Sequence, residues 1–417
     1  MNLDLDAAAV ERACATLDGV ARKTALDISD RLSSKVGVPV LLKREDSQPV
    51  RSYKIRGAYN LVSSLNSAER ALGVVCASAG NHAQGVAFSC NKLQIKGKVF
   101  LPATTPRQKR ERIQTIGGGW VDIVIAGHNY DQASIAAHED AHRTGAVYAH
   151  PFDDPRTIAG QGTIAPEIFK GPWAYEQPGT VVVPVGGGGL IAGIALWLRA
   201  KRPGVRIVGA EPAGAASMAA ALAAGKPVAL ETVDSFVDGA AVGRVGDLTF
   251  ALVRDLVDEI ISVPEGAVCS EMLELYQSEG IIVEPAGALA SAALSLLGGT
   301  LKGPVACIVS GGNNDVSRYG EIVERSLLHD GLRHYFLVTF PQEPGALRRF
   351  LEEVLSEGED IVVFEYTKKN NRETGPALVG IDLDRPELLG GLLARMAASP
   401  LEIEQIPPGS PLFSFLL

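Results

Sequence analysis

Four stretches of this chain place side chains where chemistry is possible. The first is Ser52-Tyr53-Lys54-Ile55-Arg56-Gly57-Ala58, a lysine opening an amphipathic segment. A positive charge on the first turn of a helix is opposed by the helix dipole, which favours a neutral amine, a nucleophile towards an aldehyde. Taken alone, such a lysine is more readily a solvated surface residue. The second is Ser78-Ala79-Gly80-Asn81-His82-Ala83-Gln84-Gly85, a strand end running into a helix. Successive backbone N–H groups at that junction suit a carboxylate, and Asn81 adds a side-chain donor. An ordinary Ser/Asn helix cap fits as well, and His82 reads first as a core or capping residue.

The third stretch is Gly186-Gly187-Gly188-Gly189, between the strand VVVPV and the helix LIAGIALWL. Four glycines remove every Cβ, so backbone amides can wrap a phosphate at the helix N-terminus. A tight structural turn rarely needs four. The fourth is Ser310-Gly311-Gly312-Asn313, closing the strand VACIVS. A hydroxyl on a rigid strand end can hydrogen-bond a heterocyclic nitrogen without charging it, although a plain Ser-Gly turn reads the same way.

Two patterns compete with these. Gly187-x-Gly189-x-x-Ala192, with Glu211 at the end of the next strand, satisfies a loose dinucleotide fingerprint and keeps a nicotinamide enzyme open. His138-Glu139-Asp140-Ala141-His142 matches HExxH, and Gly145 falls where a metzincin has its glycine, but Tyr148 stands at the third-ligand position. Gly145 is explained equally well as the residue ending a helix over 131–143, so no metal site is expected.

The elements that must position these groups are legible as alternation. Apolar runs at 39–45, 73–79, 96–102, 120–127, 180–187, 206–212 and 303–312 read as buried strands, with a further strand over 146–152. Helical patterns such as SYKIRGAYNLVSSL, NHAQGVAFSCNKL and EGAVCSEMLELYQSEG lie between them. Strand–helix alternation predicts α/β architecture, with parallel sheets covered on both faces and the chemistry in loops at the strands' carboxyl ends. Near Leu332 the character changes. Strand (333–340), helix (345–356), strand (361–368), strand (377–383), helix (386–397) and strand (411–417) give a βαββαβ order, the mark of a ferredoxin-like α+β domain.

Composition bounds the alternatives. With 417 residues, two or three domains are expected. An apolar share of 46% with 21% charged residues excludes disorder, and a net charge of −9 argues against nucleic acid as main partner. Cys14, Cys76, Cys90, Cys269 and Cys307 form no CxxC pair and read as reduced thiols of a cytoplasmic protein. The uncharged stretch Val181–Leu198 has the length of a membrane span, but Pro184 and the four glycines argue against one.

Taken together and in this order, the SxKxRGA lysine, the SxGNHxQG loop, the tetraglycine and the SGGN turn resemble the fold type II pyridoxal-phosphate enzymes, specifically the biosynthetic threonine dehydratases. KREDSQPV (43–50), HPFDDPRTIAGQGT (150–163), FVDGAAVGRVGDLTF (236–250) and EPAGALA (284–290) agree. The resemblance implies two parallel-sheet α/β lobes in a catalytic domain over 1–330, the smaller lobe covering about 50–150. It also implies an ACT-like regulatory domain over 332–417. Lys54 would carry pyridoxal 5'-phosphate on its amine and then act as base, and Tyr53 stands where the family has a Phe against the ring. Gly186, Gly187, Gly188, Gly189 and Leu190 would cradle the phosphate. Asn81 would meet the ring 3-hydroxyl and Ser310 the pyridine nitrogen. Ser78, Ala79, Gly80, Asn81 and His82 would hold the substrate carboxylate. The implied reaction is β-elimination of L-threonine, and of L-serine, to a 2-oxo acid and ammonia, by a homotetramer inhibited by isoleucine and opposed by valine. Related serine racemases carry a serine where this chain has Ala79, and eukaryotic members have a metal-binding aspartate where it has Ser217. Racemisation and that metal site are therefore not expected.

Overall fold

The computed structural model describes residues 5–170, 177–366, 368, 372–407, 410 and 412–413. It divides into two compact units, Met1–Asn314 and Asp315–Leu417. In the first unit the apolar runs fold into strands Val40–Arg44, Val74–Ala77, Gly97–Leu101, Val121–Ile125, Val147–Tyr148, Thr180–Pro184, Arg206–Pro212 and Val305–Val309. Two strands escape the sequence pattern, Leu26–Ile28 and Glu259–Val263. Both lie at sheet edges and both are partly exposed, so neither shows a continuous buried run.

One sheet has the order Leu26–Ile28, Val40–Arg44, Val305–Val309, Thr180–Pro184, Arg206–Pro212, Glu259–Val263. Every neighbouring pair is parallel except the first. The other sheet runs Val121–Ile125, Gly97–Leu101, Val74–Ala77, Val147–Tyr148, all parallel. These orders place the site. The loops carrying Lys54, Ser310 and the tetraglycine leave the carboxyl ends of three adjacent strands of the first sheet. The loop Ser78–His82 and the segment 149–154 leave two adjacent strands of the second.

The uncharged stretch Val181–Leu198 resolves into a strand, the glycine turn and helix Gly189–Lys201. That helix buries Leu190, Ile191, Ile194, Trp197 and Leu198 in the larger core. At roughly 1.5–3 kcal/mol per buried side chain, packing fixes the helix although its N-terminus has no side-chain cap. Among the described residues no helix is long and apolar enough to cross a membrane. None of the five cysteines is in a disulfide; four are buried and Cys14 is half-buried.

The second unit has the expected βαββαβ order with one correction. Its sheet order is Glu359–Tyr366, Thr374–Leu383, Arg333–Pro341, Glu402–Ile406, all antiparallel. Among the described residues the last strand is Glu402–Ile406, which the sequence pattern does not place, while the strand expected over 411–417 lies largely outside the described residues. Within 411–417 only Leu412 and Phe413 are described, and they form a turn. The strand was missed because its outward positions are Glu402 and Glu404, which made an edge strand look like a polar loop.

Candidate active site

Lys54 is the first residue of helix Lys54–Ser63, and its Nζ donates to the Pro151 carbonyl at 3.2 Å. The segment before it is zipped to the Ser310 turn. Ser52 bridges Gly311, the Tyr53 N–H donates to the Ser310 carbonyl at 3.1 Å, and the Gly312 N–H to the Arg51 carbonyl at 2.9 Å. Lys54 Nζ lies 5.2 Å from the centroid of the Tyr53 ring. Helix Asn81–Leu93 packs on the lysine helix at Gly85, where a Cβ would stand 2.9 Å from the Lys54 carbonyl oxygen. Lysine, serine turn and asparagine helix thus converge.

Two helix N-termini open on this place without a cap. Helix Asn81–Leu93 starts after Gly80, and helix Gly189–Lys201 after Gly188; neither has a side-chain cap or an acidic residue in its first turn. Helices Ala7–Leu17 and Tyr130–Thr144 are instead capped by Asp6 and Asn129. Uncapped N–H groups with the positive end of the dipole suit anions. The glycine cradle has no room for side chains. A Cβ at Gly186 would lie 2.9 Å from Ala240, at Gly187 2.3 Å from the Phe152 ring, and at Gly189 2.9 Å from the Phe152 backbone. Gly188 has φ +89°, which favours glycine. Leu190 is buried beside it. These features fit a phosphate held by backbone amides.

Ser310 is buried and donates its hydroxyl to the Ala286 carbonyl at 3.0 Å. Asn81 donates to Glu284 Oε1 at 2.5 Å and accepts from Asn313 Nδ2 at 2.7 Å. His82 is buried, with Nε2 on the Ala149 carbonyl at 2.7 Å. Burial, with the Lys54 charge behind it, lowers its pKa to about 3, so the imidazole is neutral. The Gly80 N–H donates to Ser78 Oγ at 3.2 Å, and Ala79 packs against the smaller core.

Sequence reasoning gave no role to the hub at 149–154. Ala149 and Pro151 offer carbonyls to His82 and Lys54, and Phe152 faces the glycine cradle. Asp153 accepts the N–H groups of Asp247, Leu248 and Thr249, each at 3.0 Å, at the start of helix Asp247–Leu256. Asp154 caps helix Pro155–Gly162, a start visible in the Asp-Pro pair. Glu284 was missed too. Burial, with the Asp238 charge second, raises its pKa to about 7, while the Asn81 hydrogen bond opposes the rise. A carboxyl that holds its proton more tightly folded than unfolded withdraws stability as pH rises from its ordinary value through the folded one. Relative to the parent, Glu284→Gln in cofactor-free protein should therefore melt a few degrees higher at pH 8 than it does at pH 5. A difference in melting temperature that stays constant with pH would contradict the assignment.

The competing patterns fall elsewhere. Glu211 is fully buried and accepts from the Met218 and Ala219 N–H groups at 3.0 and 2.9 Å, so neither oxygen faces a ribose. His138 and His142 lie on the exposed face of helix Tyr130–Thr144, His138 stacked on Tyr148 at 3.8 Å. Gly145, with φ +75°, ends that helix. These histidines border an open cavity of about 900 Å³ containing none of the residues grouped around Lys54. Among the described residues no group of three or more His, Cys, Asp or Glu could hold a metal.

A family model described as pyridoxal-phosphate dependent enzyme matches residues 17–311, and one described as the C-terminal regulatory domain of threonine dehydratase matches 324–416. The biosynthetic L-threonine dehydratase IlvA of Mycobacterium tuberculosis is 56% identical over 415 residues, covering 99% of this chain and 96% of that protein. Among solved structures, the processed form of threonine deaminase isoform 2 from Solanum lycopersicum is 38% identical with a TM-score of 0.72, covering 77% of this chain and 88% of that one. Maize serine racemase is 32% identical with a TM-score of 0.71, covering 78% and 98%. The expected fold type II architecture is therefore shared by dehydratases and racemases, while the likeness across nearly the full length, regulatory unit included, is to dehydratases. The chain belongs to the pyridoxal-phosphate dependent enzymes, in the biosynthetic L-threonine dehydratase family.

Proposed function

We propose that this chain eliminates the β-hydroxyl of L-threonine, and of L-serine, giving 2-oxobutyrate or pyruvate and ammonia. The observation that carries the reading is the convergence of Lys54, held by the Pro151 carbonyl, with two uncapped helix N-termini and a glycine cradle. Gly186 to Gly189 and Leu190 hold the cofactor phosphate through backbone amides, and Ser78, Ala79, Gly80, Asn81 and His82 hold the substrate carboxylate. Asn81, fixed between Glu284 and Asn313, would meet the ring hydroxyl, and Tyr53 would stand beside the ring. Ser310 would give the ring nitrogen a neutral donor once its hydroxyl turns from the Ala286 carbonyl. Pyridoxal phosphate, when bound, supplies the electron sink for charge developing at Cα. Lys54 takes the Cα proton on its amine. An uncharged Ser310 leaves that sink moderate, so loss of the β-hydroxyl outpaces return of the proton. Ala79 has no proton to give on the opposite face, which favours elimination over racemisation. Release of 2-oxobutyrate from L-threonine by the purified protein tests this reading.

The catalytic part is assigned to residues 1–330, with the smaller lobe at about 50–150, and the regulatory part to 332–417. The family's cytoplasmic homotetramer is the assembly in which we place them. Isoleucine is assigned to the turn Pro341–Gly345, opposed by valine. Gly345 has φ +89° and precedes helix Ala346–Glu353, which has no side-chain cap. Isoleucine acts by binding one of two conformations better, and a coupling of about 1–3 kcal/mol suffices. A protein ending near Asp330 should keep the dehydratase chemistry and lose its response to isoleucine at sub-saturating threonine. Equal inhibition of both forms would place the effector on the catalytic part.

A further inference from the structure

Two residues after the lysine, Arg56 is buried in an ion cluster that the reaction does not use. Its Nε and Nη2 reach Glu45 Oε2 and Oε1, both at 2.8 Å, and its Nη1 and Nη2 reach Glu167 Oε1 and Oε2 at 2.7 and 3.0 Å. Thr163 Oγ1 at 3.2 Å and the Arg22 carbonyl at 3.1 Å complete the acceptors. Lys43 donates to Glu167 Oε2 and the Thr24 carbonyl, each at 2.7 Å. Thr24 Oγ1 donates to Glu45 Oε1 at 2.6 Å and Gln48 Nε2 to Oε2 at 3.1 Å. Side-chain exposure is 0% for Lys43 and Glu45, 1% for Arg56 and 17% for Glu167. Two cations face two anions, and every N–H of the guanidinium has an acceptor.

The geometry points to Arg56, clamped between Glu45 and Glu167, as the positioning residue that sets the rotation of the lysine helix and so the place of Lys54 Nζ. Residues two apart on a helix point about 200° apart, so Arg56 faces the protein interior when Lys54 faces the site. Glu45 directly follows strand Val40–Arg44 and opens the turn Glu45–Ser47, and Glu167 lies on helix Ile164–Lys170, so the guanidinium ties the helix to two separate elements. Glycines set the helix's distance from its neighbours. A Cβ at Gly57 would meet Gln161 at 2.4 Å, and one at Gly160 would meet the Arg56 carbonyl oxygen at 2.6 Å. Close approach sets spacing, whereas the bidentate fork sets angle. A turn of about 10° at the roughly 6 Å radius of helix side chains moves them by about 1 Å. A misplacement of about 1 Å of a reacting group can cost about 10² in rate.

The inference rests on Lys54 being the base. Arg56→Lys keeps the charge but loses the fork, and Glu167→Gln loosens the clamp at its most exposed member. In the holoenzyme each is expected to lower kcat by at least about tenfold while KM for threonine changes by less than about threefold. Cofactor-free variant protein is expected to regain its visible absorption band several-fold more slowly on adding pyridoxal phosphate. Circular dichroism and melting report whether the protein is folded. Parent-like kcat and parent-like band recovery in either folded variant would overturn the role. So would a loss of rate that only follows the unfolded fraction. Should Arg56→Lys fail to fold, Glu167→Gln decides alone. Turnover surviving in Lys54→Ala removes the Lys54 assignment itself, whereas an inactive Lys54→Ala beside a parent-like Arg56→Lys removes only this inference.

Discussion

Replacing Lys54 by alanine should abolish turnover, lowering 2-oxobutyrate release from threonine by at least about 10³. The amine is asked to do two things, to carry the cofactor and to take the Cα proton. Of the groups that feel the Lys54 charge, His82 is neutral with its pKa at about 3 and its Nε2 committed to the Ala149 carbonyl, and Glu284 is buried and accepts from Asn81. The variant should remain folded. Lys54 gives up one hydrogen bond, to Pro151, a net contribution of about 1 kcal/mol and therefore a few degrees in melting temperature at most. The glycine cradle should still bind the cofactor phosphate. Turnover within tenfold of the parent would refute the assignment.

The second large effect is expected at Gly187. A Cβ there would stand 2.3 Å from two atoms of the Phe152 ring, so the ring must move. It has little freedom to do so. The Phe152 backbone lies 2.9 Å from where a Gly189 Cβ would be, and its neighbour Asp153 is pinned by three backbone N–H groups. Overpacking of this kind costs about 1–3 kcal/mol. Here the strain falls on the phosphate cradle and on the Pro151 carbonyl that holds Lys54. Titrating pyridoxal phosphate into cofactor-free Gly187→Ala should give an affinity about 10–100-fold below the parent. Gly204→Ala, where a Cβ would meet nothing within 4 Å, should match the parent. Parent-like affinity in Gly187→Ala would show that the cradle does not bear on the cofactor.

What was legible in the chain was whatever is coded locally. Parallel strands buried on both faces declare themselves as apolar runs, and four successive glycines between a strand and a helix mark a turn that excludes side chains. The tetraglycine could be read from residue type and position, whereas Lys54 and Ser310 were only candidates until the order of all four motifs, through the family resemblance, gave them roles. Partnerships across the fold could not be read. That Pro151 offers its carbonyl to a lysine 97 residues away, or that Glu284 holds Asn81 across 203 residues, depends on which strands become neighbours. Edge strands were lost for a different reason. Glu402–Ile406 is solvated on one side, and its glutamates mask the alternation. Arg56 was in view as part of the SxKxRGA stretch, but its two carboxylate partners are separated in sequence by 122 positions and appear together only in the folded unit.

The central claim is that this site eliminates, and the most direct measurement is to follow purified holoenzyme with L-threonine as sole substrate, assaying 2-oxobutyrate, ammonia and the stereochemistry of the remaining amino acid. The predicted result is equimolar 2-oxobutyrate and ammonia with the residual threonine still L. Threonine epimerised at Cα without 2-oxobutyrate, or threonine left untouched, would contradict it.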